Sequence, residues 1–125
     1  MRAVKSADTT PEMTVRRLVH GMGFRYRLHG RDLPGSPDLV LPRLHKAIFV
    51  HGCFWHRHAC PAGLSTPASR VDYWQAKFAR NVERDRRNIR KLRRQGWSVM
   101  VVWECQTRRQ DIRKLEARLE RFLGR

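Results

Sequence analysis

Lys46-Ala-Ile-Phe-Val-His51 is almost wholly apolar, and it runs directly into His51-Gly-Cys-Phe-Trp-His-Arg-His-Ala-Cys60. A short β-branched and aromatic run with no polar alternate face reads as a central strand, buried on both sides. The next segment therefore sits where a buried strand delivers its end to the surface. It holds three histidines, two cysteines and an adjacent Phe-Trp pair. Imidazole and thiolate are preferred zinc ligands, and histidine also transfers protons near neutral pH. An exposed Phe-Trp pair suits insertion into a base stack. A metal site, a proton-transfer site and an aromatic wedge all compete for these residues.

Further elements build a sheet around that strand. Trp97 to Trp103 is a second, mostly apolar strand, and Asp38 to Leu41 and Phe24 to Leu28 are two more. Val71 to Gln95 reads as a long helix, with Trp74, Phe78, Val82, Ile89 and Leu92 at helical spacing and Gly96 closing it. Thr9-Thr-Pro-Glu12 is a helix start whose Thr9-x-x-Glu12 spacing fits a capping box, with Met13, Leu18 and Val19 as a partial apolar face. Asp111 to Leu123 is amphipathic, with Ile112, Leu115, Leu119 and Phe122 inward. Residues 1–8 read as loosely held and residues 61–69 as a loop. The order α-β-β-β-α-β-α predicts an α/β fold, a mixed central sheet flanked by helices, in one domain spanning 1–125.

Charge restricts the partner. Lys and Arg number 27 against 11 Asp and Glu, a net charge of +16. Such an excess repels itself unless a polyanion neutralises it, which points to nucleic acid, with anionic membrane as competitor. No apolar stretch would span a bilayer and no signal-peptide core is present, so the chain reads as cytoplasmic with no membrane partner. Lys77, Arg80, Arg84, Arg86, Arg87, Arg90, Lys91, Arg93 and Arg94 crowd the long helix, where outward cations would contact phosphates.

The three cysteines, Cys53, Cys60 and Cys105, are an odd count in a reducing compartment, which argues against a disulfide framework. Cys53, His58 and Cys60 supply three soft ligands within eight residues. Cys105 lies just past the Trp97–Trp103 strand, and neighbouring strand ends would bring it to close a tetrahedral zinc site. The plainer reading is three buried free thiols and a surface histidine. Asp38 and His51, delivered by adjacent strands, converge at one end of a sheet. Asp38 with a backbone carbonyl near Val50 suits magnesium, and His51 or His56 could move protons for phosphodiester hydrolysis. The plainer readings are a turn aspartate, a capping Glu12 and a hydrogen-bonded strand-end histidine.

Four blocks then form a recognisable pattern. They are Pro34-Gly-Ser-Pro-Asp38, Ile48-Phe-Val-His-Gly-Cys-Phe-Trp-His56, Asn81-Val-Glu-Arg-Asp-Arg-Arg87 and Gly96-Trp…Val-Val-Trp-Glu-Cys105. In order and spacing they resemble the very short patch repair (Vsr) mismatch endonucleases, over roughly residues 1–107. The resemblance implies a type II restriction-endonuclease-like fold and nicking of duplex DNA at thymine-guanine mismatches left by 5-methylcytosine deamination. It implies Mg2+ on Asp38 and the Val50 carbonyl, catalytic His51 and His56, and Glu12 as supporting acid. It implies structural Zn2+ on Cys53, His58, Cys60 and Cys105. Phe54, Trp55 and Trp74 would form the wedge, and Lys77 and Asn81 would face the mismatched pair. A monomer working on bacterial nucleoid DNA, with repair-pathway proteins as further partners, is also implied. Two departures stand out. Family members carry a DNA-gripping arm upstream of this chain's first residue, which bears on mismatch selectivity, and the 61–69 loop differs in sequence.

Three rivals remain at this stage. One is a zinc-stabilised DNA-binding module without catalysis. Another is a histidine-metal nuclease whose ion sits on His51 or His58. The third is a nuclease of the same fold serving restriction or defence.

Overall fold

The computed structural model describes residues 9–124 apart from 57 and 66, and leaves the side chain of Trp55 undescribed. The expectation of a loosely held segment 1–8 lies outside the described residues. Elements run α1 (Thr10–Gly21), β1 (Arg27–Leu28), β2 (Leu39–Leu41), β3 (Lys46–His51), α2 (Cys53–His56), α3 (Pro61–Leu64), α4 (Val71–Arg94), β4 (Ser98–Trp103) and α5 (Ile112–Leu123), with two 3-10 turns between β4 and α5.

The sheet is mixed, in the order β1-β2-β3-β4. β1, β2 and β3 pair antiparallel, and β3 pairs parallel with β4 from Lys46↔Ser98 to His51↔Trp103. Parallel neighbours need a long crossover, which α4 supplies. Strand alternation sends Leu39, Leu41, Ile48, Met100 and Val102 to one face, where they pack with Val15 and Val19 of α1 and Leu115, Leu119 and Leu123 of α5. Val40, Ala47 and Phe49 point to the other side and are equally buried.

α1 begins as its sequence predicts, with Thr9 Oγ1 accepting the Glu12 N–H at 3.4 Å. Its inward face differs. Val15 and Val19 are buried together with the charged Glu12 and Arg16, while Met13 and Leu18 are half-covered. The expected strand 24–28 shrinks to Arg27–Leu28, both exposed at the edge of the sheet. The expected loop 61–69 opens with the helical turn α3. Gly63 permits it: a Cβ there would lie 1.8 Å from the His58 carbonyl oxygen. Along α4, Phe78 and Leu92 are buried but Val82 and Ile89 only partly so, because the middle of that helix covers a cavity rather than the sheet.

Leu119 is fully buried in α5. Leu119→Ala is expected to cost about 2–5 kcal/mol, read as a lower urea midpoint at unchanged slope. A midpoint within error of the parent would mean that α5 does not belong to the core.

Candidate active site and metal centres

The end of β3 opens into a cavity of about 850 Å3 whose wall includes Glu12, Asp38, Val50, His51, His56 and Asp85. Antiparallel pairing sets the start of β2 beside the end of β3, so Asp38 arrives next to Val50 and His51. Asp38 Oδ2 accepts the Val50 N–H at 2.6 Å. Burial pushes its carboxyl up to about 6; the Val50 hydrogen bond opposes this and the nearby Glu12 carboxylate adds to it. Glu12 is 3 % exposed and ion-paired with Arg16 at 3.2 Å. Thus the first-turn residue whose N–H is capped by Thr9 also turns its carboxylate into the cavity. The donor atoms of Glu12, His29 and Asp38 lie within 4.8 Å of one another, close enough to share a cation.

On the α4 side, the His51 and His56 rings stack at 3.8 Å with 4° between planes. His56 Nδ1 lies 2.5 Å from Asp85 Oδ2, a short hydrogen-bonding contact. A carboxylate on Nδ1 holds the proton there and leaves Nε2 to exchange one, as in other carboxylate-oriented histidines. Burial, then the neighbouring His56, depress His51 to about 4, with Asp85 opposing. His51 is therefore neutral at pH 7. Its Nδ1 is buried and has no hydrogen-bond partner among the described residues.

Cys53, His58, Cys60 and Cys105 form a separate cluster, their donor atoms within 4.8 Å of one another. The Cys105 Sγ is 3.4 Å from His58 Nδ1, and the Cys105 N–H donates to Cys53 Sγ at 3.4 Å. Two sulfurs on one zinc stand about 3.5–4 Å apart, so this donor set fits a tetrahedral ion with modest contraction. A hydrogen bond from the Gly63 backbone, then His58, lowers the Cys60 thiol to about 7, toward the thiolate a metal needs. Trp103 stands between the two sites. It stacks on His58 at 4.4 Å and meets His51 edge-on at 5.2 Å.

The nucleic-acid residues named from sequence are only partly gathered. Phe54 is half-buried, edge-on to Phe78 at 5.1 Å and to Trp74, another residue of the expected wedge, at 6.1 Å. Trp74 is half-buried, with the Lys77 ammonium 5.8 Å from its ring. Asn81 accepts from Arg84 at 3.0 Å. The expectation for the Trp55 ring falls outside the described residues. Arg80, Arg84, Arg86, Arg87, Arg90, Lys91, Arg93 and Arg94 are all exposed along α4, as expected.

Sequence reasoning missed Asp85, Glu104 and His29. Asp85 did leave a signal. It occupies the gap in the Phe78, Val82, Ile89, Leu92 stripe, and a carboxylate at an inward position needs a partner. Glu104 accepts the Cys53 N–H at 3.3 Å and lines the cavity. Its role depends on where the chain turns after β4, which no local pattern states. His29 has left-handed backbone, φ 50°, unusual outside glycine and invisible in sequence.

The molecule is an α/β fold, a mixed sheet flanked by helices, with carboxylates and histidines gathered at one strand end. The catalytic domain of the homing endonuclease I-Bth0305I shares that fold: TM-score 0.63 over 92% of this chain and 94% of that one, at 21% identity. Sequence takes the assignment further. The family described as DNA mismatch endonuclease Vsr matches residues 1–62. The chain is 49% identical over 123 residues to the type II nicking enzyme V.XorIIP of Xanthomonas oryzae pv. oryzae, covering 98% of this chain and 88% of that one. It is 43% identical over 122 residues to the DNA mismatch endonuclease Vsr of Escherichia coli, covering 98% and 78%. The chain belongs to the Vsr family and is a Vsr-type nuclease.

Two predictions follow from the geometry. Asp38 is raised from 3.8 to about 6, so its ionised form is disfavoured in the folded state. The penalty is absent below pH 3.8, grows as pH rises through the interval and is complete above 6. Asp38→Asn should therefore raise the Tm of Mg2+-free protein at pH 7, by the equivalent of about 1–3 kcal/mol, with the gain vanishing near pH 4. An equal gain at both pH values would show that the charge is not what is relieved. Separately, Cys105→Ala should lose bound zinc on metal analysis and lose nicking, because the α2–α3 segment is left without its distant anchor. A full zinc complement in that variant would rule the cluster out.

Proposed function

We propose that this chain nicks one strand of duplex DNA at thymine-guanine mismatches, those left by 5-methylcytosine deamination, with Mg2+ as catalytic ion, and so begins very short patch repair. The observation that carries this reading is the convergence of Asp38, His51, His56 and Asp85 on one cavity in a Vsr-family chain. Asp38 and the Val50 carbonyl would hold the Mg2+, with Glu12 supporting. Two oxygen donors and open remaining positions suit that ion. When bound, Mg2+ neutralises phosphate charge and eases deprotonation of water. His56, oriented by Asp85, exchanges a proton through Nε2. His51, neutral at pH 7, donates a hydrogen bond to a phosphate oxygen without adding a cation.

Cys53, His58, Cys60 and Cys105 would hold structural Zn2+ and keep α2 in place. Phe54, Trp55 and Trp74 would press beside the mismatch, where poor stacking lowers the cost of opening a step. Lys77 and Asn81 would face the pair, and the exposed α4 arginines would hold phosphates, making affinity steeply salt-dependent. We take 1–125 as one domain acting as a monomer, with repair proteins as possible partners. Among the described residues no helix is long and apolar enough to cross a membrane.

A second reading has support in the name of one relative, a type II nicking enzyme. The same chemistry would then accompany a restriction system. Matched duplexes carrying T:G, U:G or C:G, incubated with Mg2+ and mapped by strand, test the nicking chemistry that both readings share. Selective nicking of one strand of the T:G duplex is expected. Asp38→Ala should abolish that nicking while duplex binding persists. Equal cutting of all three duplexes would remove the mismatch claim, and no cutting under binding conditions would leave only a DNA-binding module.

A further inference from the structure

We propose that α5 carries a second duplex-binding surface, the exposed cationic stripe of Lys114, Arg118 and Arg121, so that one molecule holds a second segment of double-stranded DNA while the first lies at the cavity. The proposal rests on the reading that the cavity and α4 engage a duplex, and adds a surface which that reading leaves unused.

The stripe is built by helix period. Leu115, Leu119 and Leu123 turn one side of α5 into the core. Lys114, Arg118 and Arg121, at i, i+4 and i+7, then share a solvent-facing side about 10 Å long, and Arg113 is exposed beside them. The acids of α5, Glu116 and Glu120, stand on the opposite flank of its outer surface. Among the described residues Lys114, Arg118 and Arg121 form no ion pair. Arg118 donates to Gln106 at 2.9 Å, which leaves other guanidinium N–H groups for phosphate. Neighbouring α1 adds the exposed Arg17 and no exposed acid. Mutual repulsion along such a row is relieved by a polyanion. An anionic membrane fits less well, because the apolar side of α5 is already buried in the core and none is left to insert.

Position makes this surface separate from the first. α1 and α5 cover the face of the sheet that carries Leu39, Leu41, Ile48, Met100 and Val102. α4 covers the other face, where a Cβ at Gly35 would touch both Asn88 of α4 and the Phe49 ring. The exposed cations of α4 and α5 thus point away from each other across three layers, about 30 Å of protein. Lys46 Nζ donates to the Phe122 carbonyl, which ties the last turn of α5 to the start of β3, roughly 17 Å along the strand from His51. DNA is stiff over about 150 bp, so one short segment does not wrap both faces.

The test uses full-length, zinc-loaded protein without Mg2+ and short matched duplexes, followed by native mass spectrometry and by titration at several salt concentrations. The parent is expected to form complexes of one protein with two duplexes, the weaker step having a log–log salt slope of about −3 for three phosphate contacts. Lys114→Gln, Arg118→Gln and Arg121→Gln together should weaken that step at least about tenfold. The tighter step, the melting temperature and, once Mg2+ is added, T:G nicking should not change. Arg118→Lys with Arg121→Lys should keep the second duplex, since a phosphate contact needs only the charge. Two-duplex complexes that survive the triple glutamine change at unchanged affinity and slope overturn the proposal. A parent that binds only one duplex also overturns it, while the reading of the cavity stands. Vesicles of phosphatidylserine and phosphatidylcholine that bind the stripe more tightly than the duplex does would assign it to a membrane instead. No duplex binding at all would remove both readings together.

Discussion

Parallel, in-register pairing of β3 with β4, from Lys46↔Ser98 to His51↔Trp103, sets the position of nearly every functional group in the molecule. It places the two strand ends side by side, so that the chain leaving β3 at Gly52 and the chain leaving β4 at Glu104 share one corner. Cys105 then meets Cys53 and His58, and Glu104 meets the Cys53 N–H. Trp103 becomes a common wall, with the cysteine cluster against one side and the paired histidines against another. A one-residue slip in this pairing would turn His51 toward α1 and separate the cysteines, because side chains alternate faces along a strand.

The cavity is assembled from groups whose burial works against stability. Asp38 is raised and His51 depressed, and burial is the largest cause of each. The surrounding chain compensates with specific contacts rather than with solvent. Val50 donates to Asp38, Arg16 to Glu12, and Asp85 contacts His56. A carboxylate reluctant to ionise alone is one that gains by meeting a cation, and a histidine kept neutral can exchange a hydrogen bond without repelling one. The electrostatic cost in the unliganded protein and the suitability for metal and phosphate share the same origin.

Much of the architecture was legible because it depends on local periodicity. The apolar runs at Lys46–His51 and Trp97–Trp103, the long helix between them and the capped start at Thr9 all appear within a residue or two of their expected places. The cysteine cluster was readable because thiols and imidazoles at close spacing have few other uses. Asp85 was half-legible, as a charge in an apolar stripe whose partner lies 29 positions away. Glu12 looked like a capping residue and is one at the level of its backbone, but its side chain is recruited by Arg16 and the cavity. The short helices α2 and α3 left no periodic trace, since each is four residues long and is held by packing such as that of Gly63 on His58.

What the sequence determined by itself was the kind of protein: a small, strongly basic α/β chain with a buried strand feeding a ligand-rich segment, carrying the blocks of a mismatch endonuclease family. Those properties follow from hydrophobic period, charge and side-chain chemistry, each of which is local. Tertiary structure alone decided which donors share a site. It sorted one crowded segment into a cysteine cluster and a pair of stacked histidines, brought Asp85 across from α4, and set His29 beside Asp38 through a left-handed turn. Such groupings depend on strand register and crossover geometry, which come from the simultaneous packing of distant segments and have no counterpart in any single stretch of chain.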